Sequence, residues 1–169
     1  SEIIDGHLAL PRGCEEALVE ILDKLRVGYT IVDKTNAGNP IKVSFNGELR
    51  FDQQMAVVAL INNRIGTLSA ATAFGKSVVA ANIIAERKTN TLILVHTKAL
   101  MEQWQSLLNK FLTIECDAPI EKPRRGRKRI WSPIGCVGSG KDRRSGLIDI
   151  AIMQSLTDGD SVKEWVRDY

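Results

Sequence analysis

Ala70-Ala71-Thr72-Ala73-Phe74-Gly75-Lys76-Ser77 lies between a short run, Thr67-Leu68-Ser69, and a stretch from Val78 to Glu86 that reads as helix. A strand, a tight loop closing on Gly-Lys-Ser and then a helix is the layout of a phosphate-binding P-loop. Backbone N–H groups of the loop and the helix N-terminus would point at a polyphosphate, with the helix dipole adding partial positive charge. In that chemistry the Lys76 ammonium reaches the β/γ phosphates and the Ser77 hydroxyl completes Mg²⁺ coordination. The consensus opens with a Gly separated from the Gly-Lys pair by four residues; Ala70 stands there, and Ala73 occupies another position where Gly is common. An Ala at positive φ costs on the order of 1 kcal/mol, so the loop must avoid that conformation or carry the strain.

The rest of the composition suits a globular chain. Of 169 residues, 44% are hydrophobic and 25% charged, which excludes a disordered tail and fits one ordinary domain with a small appendage. No run approaches the apolar length of a membrane span, and no signal-peptide pattern follows Ser1. Cys14, Cys116 and Cys136 lack CxxC spacing, and His7 and His96 stand apart. These are read as ordinary thiols of a reducing cytoplasm, without a metal cluster. The net charge of +3 hides an asymmetry: nine basic residues against one acid fall between Lys122 and Arg144, leaving the remainder net acidic. A concentrated basic segment points to a polyanion, though charge runs also occur as plain solvated surface.

In chain order, residues 1–48 read as a small β-α-β-β module. Leu8 and Leu10 alternate with small neighbours, and Pro11-Arg12-Gly13 makes a turn. A helix follows with Glu15 and Glu16 at its start and the apolar face Ala17, Leu18, Ile21, Leu22 and Leu25. Tyr29 and Ile31 then alternate along one strand, and Ile41, Val43 and Phe45 along another. Residues 49–169 hold the larger unit. A helix opens at Leu49-Arg50-Phe51-Asp52-Gln53, and Gly66 introduces the strand into the loop. Thr91-Leu92-Ile93-Leu94-Val95 has the composition of a strand buried on both faces. An amphipathic helix carries Leu100, Trp104, Leu107, Leu108 and Phe111, a core stripe. Cys116 to Pro133 is loop-like and holds Arg124-Arg125-Gly126-Arg127-Lys128-Arg129. Trp131 beside it suits base stacking, or equally pins the loop to the body. Ile134–Val137 and Leu147–Ile152 are further strands, and Ser161-Val162-Lys163-Glu164 fits a capping box for a last helix. Strands alternating with helices mean an α/β sheet whose ligand sits at the carboxyl ends of its strands.

Several stretches, in order, resemble the first RecA-like domain of superfamily 2 DEAD/DEAH-box helicases, in the branch of XPB-like and type III restriction-enzyme helicase subunits. Ala-x-x-Ala-Phe-Gly-Lys-Ser is similar to motif I, where Ala in place of the first Gly is usual. Leu49-Arg50-Phe51-Asp52-Gln53 is similar to the Leu-Arg-Pro-Tyr-Gln stretch ahead of it, with Phe51 and Asp52 departing. Leu94-Val95-His96-Thr97-Lys98-Ala99-Leu100 resembles motif Ia, and Ile152-Met153-Gln154-Ser155-Leu156 resembles the Thr-Tyr-Gln-Ser-Leu stretch.

The resemblance, over roughly residues 49–169, implies an incomplete RecA-like P-loop domain, a parallel sheet with helices on both faces, preceded by the small module. It implies ATP and Mg²⁺ as cofactors. Thr72, Ala73, Phe74, Gly75, Lys76 and Ser77 would cradle the phosphates, with Lys76 the catalytic cation and Ser77 on the metal. Gln53, supported by Arg50, would read adenine. Thr97 and Lys98, with Arg124, Arg125, Arg127, Lys128, Lys141 and Arg143, would hold nucleic acid, DNA in preference to RNA.

No Asp-Glu-x-His run follows Lys76. In the family that strand supplies a Mg²⁺-holding Asp and the Glu that orients water. The chain is therefore expected to be the amino-terminal part of a longer ATP-dependent helicase, inactive alone, that partners a second RecA-like domain on the same polypeptide. The alternatives are a non-catalytic nucleic-acid-binding module with a degenerate P-loop, or another P-loop class; the guanine-reading Asn-Lys-x-Asp of a GTPase is absent.

Overall fold

A computed structural model of the chain describes residues 2–4, 7–10, 12–32, 36–117, 131–159 and 161–169. The chain divides into two compact units, Ser1–Thr35 and Asn36–Tyr169. In the first, β1 (Glu2–Ile4) and β2 (His7–Ala9) form an antiparallel hairpin, and α1 (Glu15–Leu25) follows a short 3₁₀ turn. Acidic Glu15 and Glu16 lie at the positive end of the α1 dipole and Lys24 at the negative end. Arg26 ends the helix at φ 56°, its N–H bonded to the Asp23 carbonyl. The strand expected at Tyr29 and Ile31 does not form. Both side chains are exposed, and the Tyr29 hydroxyl donates to Asp23. Alternation alone cannot make a strand, which needs a neighbour to complete its ladder.

The second unit opens with β3 (Lys42–Phe45), which sequence reading groups with the amino-terminal module. Here it pairs antiparallel with β5 (Leu112–Glu115), placing Val43 opposite Ile114 and Phe45 opposite Leu112. β5 has the same two-residue alternation, and sequence reading assigns residues 112–115 to no element. The main sheet has four strands among the described residues, in the order β4 (Thr91–Val95), β8 (Ile148–Ile152), β6 (Ile134–Gly138), β7 (Lys141–Arg143). β4, β8 and β6 are parallel; β7 folds back antiparallel on β6 through a Ser139-Gly140 turn. Ser139 at φ 52° and Gly140 at φ 73° make that reversal possible.

Period-two alternation sorts the strand residues onto two faces. Ile93, Val95, Ile134, Cys136, Ile148 and Ile150 join the larger core with α3 (Lys76–Arg87) and α4 (Lys98–Phe111). Ala81, Ile84 and Ala85 are the buried face of α3, and Met101 and Leu108 that of α4. Trp104 packs here, as its helical spacing predicts. On the other face Leu92, Val137 and Ala151 meet Leu156, Trp165 and Val166, the last two on a 3₁₀ helix, Glu164–Asp168. The expected capping box at Ser161 is absent: Ser161 pairs with Asp158 in the two-residue hairpin β9 (Thr157–Asp158) and β10 (Ser161–Val162). β4 is an edge of this sheet, and Leu94 is exposed rather than buried on both faces. Only a strand with neighbours on both sides and covered faces, as β8 is, buries a continuous apolar run.

Within β8 a polar residue is fully buried. The Asp149 carboxyl accepts from the Ser145 and Gly146 backbone N–H groups (both 2.8 Å), the Ser145 hydroxyl (3.2 Å) and the Tyr169 hydroxyl. Burial, then this hydrogen bond, raises the Tyr169 pKa far above that of an ordinary phenol. Nearby, Asn90 donates to the Asp168 carbonyl at 2.7 Å and Asn36 to that of Arg167 at 2.6 Å, so the carboxyl-terminal turn is tied down at three consecutive residues.

Beneath the carboxyl, Gly135 leaves no room for a side chain. A Cβ there would stand 1.8 Å from Asp149 Oδ1 and 2.5 Å from the Arg143 carbonyl oxygen. Gly135→Ala is expected to destabilise the fold by about 2–4 kcal/mol, since backbone on both sides of the contact resists displacement. Chemical denaturation of the variant measures it, and an unchanged midpoint would refute the packing described.

Candidate functional site

The Ala70–Ser77 loop enters the fold differently from expectation. Residues 66–70 pair with no strand among the described residues, so the strand predicted ahead of the loop is absent. An isolated extended segment leaves its backbone groups to solvent, and residues 66 and 67 are exposed accordingly. What fixes the loop is α2 (Phe51–Ile61), which packs against α3. Gln53 caps the start of α2: its Oε1 accepts the Arg50 backbone N–H at 3.0 Å, while its own backbone N–H donates to Asp52 Oδ1 at 3.0 Å. Gln53 is buried, and its Nε2 donates to the Phe74 carbonyl at 2.8 Å. The Arg50 guanidinium donates to the same oxygen, also at 2.8 Å, and lies 5.8 Å from the Phe74 ring centroid. One carbonyl thus takes two side-chain donors from the residues expected to recognise adenine.

The loop turns tightly, with the Phe74 N–H bonded to the Ala71 carbonyl at 3.3 Å. Ala73 adopts φ 67°, so the loop carries the strain anticipated at that residue. Gly75 follows at φ 85° as the N-cap of α3. A Cβ on Gly75 would meet the Gln53 Nε2 at 2.6 Å, so the residue answers both to its backbone conformation and to the close approach of α2. The Gly75, Lys76 and Ser77 amides are orphan donors of a helix start, the geometry that attracts phosphate oxygens. The Lys76 ammonium bends back into the loop and donates to the Ala70 (2.7 Å) and Ala71 (3.0 Å) carbonyls. Thr72 is exposed at the turn, and Ser77 is half-buried at the first turn of α3. These residues fit a polyphosphate: amides at a helix N-terminus, a cation within the loop, a hydroxyl one residue on and a glycine where a side chain would collide.

A second constellation lies between α4 and the β6–β7 hairpin. Thr97 caps α4, its hydroxyl accepting the Leu100 N–H at 3.2 Å, and Lys98 pairs with Glu102 at 3.4 Å. A groove of about 470 Å³ runs between them and the hairpin, lined by Lys98, Met101, Glu102, Trp131, Lys141 and Arg143 among others. Three of the expected nucleic-acid contacts, Lys98, Lys141 and Arg143, therefore share one surface. Lys141 and Arg143 alternate along β7 and face the same way. The antiparallel pairing of β7 on β6 that brings them opposite α4 is invisible to residue spacing, as is the entry of Trp131. Arg124, Arg125, Arg127 and Lys128 lie outside the described residues. The three cysteines are free thiols, and the Cys136 pKa is raised chiefly by burial. No helix among the described residues is long and apolar enough to cross a membrane.

An α/β domain with a loop of this geometry at a helix start has the layout of a P-loop domain. Residues 46–163 match the family described as type III restriction enzyme, res subunit, and the chain belongs to that family, within the superfamily 2 helicases. It is 30% identical over 110 residues to the DNA 3'-5' translocase XPB2 of Sulfurisphaera tokodaii, covering 65% of this chain and 21% of that protein. It is 35% identical over 79 residues to "Putative helicase 161L" of Invertebrate iridescent virus 6, covering 44% of this chain and 18% of the viral one. The chain spans about a fifth of the length of the curated relatives it matches.

Ala73 offers a direct check on the loop. Ala73→Gly relieves about 1–2 kcal/mol of left-handed strain and gives back about 0.4–1 kcal/mol through a looser unfolded chain. A rise in melting temperature of roughly 1–3 °C is expected. Ala73→Val should lower it, because a β-branched residue tolerates positive φ least. A Val variant as stable as the parent would show that the loop does not hold this backbone.

Proposed function

We propose that this chain is the ATP-binding part of an ATP-dependent DNA helicase or translocase, with residues 49–169 in its first RecA-like domain, which β3 joins through β5, and the unit Ser1–Thr35 a small preceding module. The observation that carries the reading is the Lys76 ammonium inside a loop whose following amides open α3, the cation and the donors that a triphosphate needs. In this reading Lys76 exchanges the Ala70 and Ala71 carbonyls for phosphate oxygens, and the Gly75, Lys76 and Ser77 amides, with the loop from Thr72 to Phe74 wrapped around them, take the remaining oxygens. Ser77 gives its hydroxyl to Mg²⁺. Arg50 and Gln53 hold the loop through Phe74, and the second Nε2 hydrogen of Gln53 meets the adenine edge. ATP supplies the phosphoryl-transfer free energy that drives movement along a strand.

Thr97, Lys98, Lys141 and Arg143 take up the nucleic-acid backbone, joined by Arg124, Arg125, Arg127 and Lys128. Contacts of this kind are sequence-tolerant and strongly salt-dependent. The name of the Sulfurisphaera relative favours DNA over RNA. Hydrolysis belongs to the longer polypeptide in this reading: an acidic Asp-Glu run is missing from these 169 residues, and a second RecA-like domain would be the partner that closes over the nucleotide. The cytoplasm is the proposed setting.

Titration calorimetry with Mg-ATP tests the site. Lys76→Ala is expected to weaken binding by about tenfold or more, as befits loss of charge-assisted hydrogen bonds. Phosphate release from the 169-residue protein should stay at background. Equal affinity of parent and variant would rule out the loop as the phosphate seat.

A further inference from the structure

We infer that the groove between α4 and the β6–β7 hairpin seats an unstacked base of a single strand on Trp131, beyond the backbone contacts proposed above. The inference rests on the nucleic-acid reading of Lys98, Lys141 and Arg143 and adds a base-recognising element to it. Two kinds of surface meet in this groove. Met101, Ile134 and Cys136 give it an apolar floor, and the Trp131 indole lies in its wall, half-buried. Its volume of about 470 Å³ lies in the range of small-molecule sites and well above that of a water-filled crevice.

Its charge is positive and placed on one side. Glu102 is the one acid on the α4 wall, and Lys98 one turn before it offsets its charge at 3.4 Å. Arg144 is committed elsewhere, to Asp142 at 2.9 Å and to the Trp165 ring at 4.4 Å. Lys141 and Arg143 remain; neither is in an ion pair among the described residues, and both project from β7 on the groove side. Register places Arg143 opposite Cys136 and Lys141 opposite Gly138, so the two cations are spaced along the groove rather than stacked at one point.

Two cations along an edge strand with an indole in the same wall suit a chain that alternates anionic phosphates and flat π-faces. A single strand has that chemistry. In a duplex the base faces are stacked against each other and could not reach the indole. An acidic peptide would satisfy the cations and leave Trp131 without a planar partner. Stacking on an aromatic ring is tolerant of base identity, so the seat would select single-stranded over double-stranded nucleic acid without reading sequence.

The test compares a fluorescein-labelled oligothymidylate with a strand of the same length bearing abasic sugars, by fluorescence anisotropy with the 169-residue protein at low salt. The base-bearing strand is expected to bind about tenfold tighter. Trp131→Ala should bring it to the abasic level, and Trp131→Phe should keep most of the difference. Lys141→Ala and Arg143→Ala should weaken both strands alike and each reduce the salt slope by about 1. Equal affinity of the parent protein for the two strands would overturn the base seat while leaving the backbone reading standing. Binding of neither strand would overturn both. Discrimination that survives Trp131→Ala would place the base elsewhere and overturn this assignment.

Discussion

Asp149 sits second in β8, an interior strand of the sheet, with no surface at all, and a carboxyl there costs several kcal/mol unless its oxygens are satisfied. The cost is met by the Ser145 and Gly146 amides, the Ser145 hydroxyl and the Tyr169 hydroxyl. Hydrogen bonds to such a group contribute about 1.5–3 kcal/mol each, enough together to offset burial. Three consequences follow. The turn between β7 and β8 has one shape, because two of its donors must face inward. Residue 135 must be glycine, because the carboxyl fills the space of its Cβ. The end of the chain must lie across the second face of the sheet, where Trp165 and Val166 close the smaller core. By fixing the β7–β8 turn, the same carboxyl helps hold β7 in place, and β7 forms one wall of the basic groove.

The nucleotide loop depends on a smaller device. Without a ladder on residues 66–70, its position is set by the Phe74 carbonyl, which takes one donor from Gln53 and one from Arg50. This arrangement joins the ends of two helices across one oxygen. Gly75 is pressed against the Gln53 amide by the same contact, so the start of α3 and the start of α2 move as one piece. Lys76 remains exposed, held only by two carbonyls of a strained turn. A ligand that offers the ammonium better acceptors therefore displaces few interactions.

Much of this was legible in advance, for local reasons. Gly-Lys-Ser before a helical pattern predicts a tight turn into a helix, and α3 begins at Lys76 with Gly75 as its N-cap. The i, i+4, i+7, i+8 spacing of Leu100, Trp104, Leu107 and Leu108 predicts the face of α4 that packs. The run Leu147–Ile152, apolar but for Asp149, supplies β8, the most buried strand of the sheet. The misreadings of which alternating segments form strands, and with what, share one cause. Tyr29 and Ile31 alternate like a strand and have no partner, while Lys42–Phe45 and Leu112–Glu115 find each other across some seventy residues. Period-two alternation states that a segment can be a strand; only another segment can make it one.

The sequence by itself determined the class of the protein and nominated the loop with its candidate residues Arg50, Gln53, Lys76 and Ser77, because these are encoded in short spacings that a helix or a tight turn reads directly. It also raised the strain at Ala73 as a possibility, which follows from chirality alone. Tertiary structure decided the rest. The joint grip of Arg50 and Gln53 on Phe74, the gathering of Lys98, Trp131, Lys141 and Arg143 into one groove and the burial of Asp149 under Tyr169 are contacts between residues distant in sequence. Their formation depends on which strands pair and in what register, and that is settled by the packing of the whole core rather than by any local pattern.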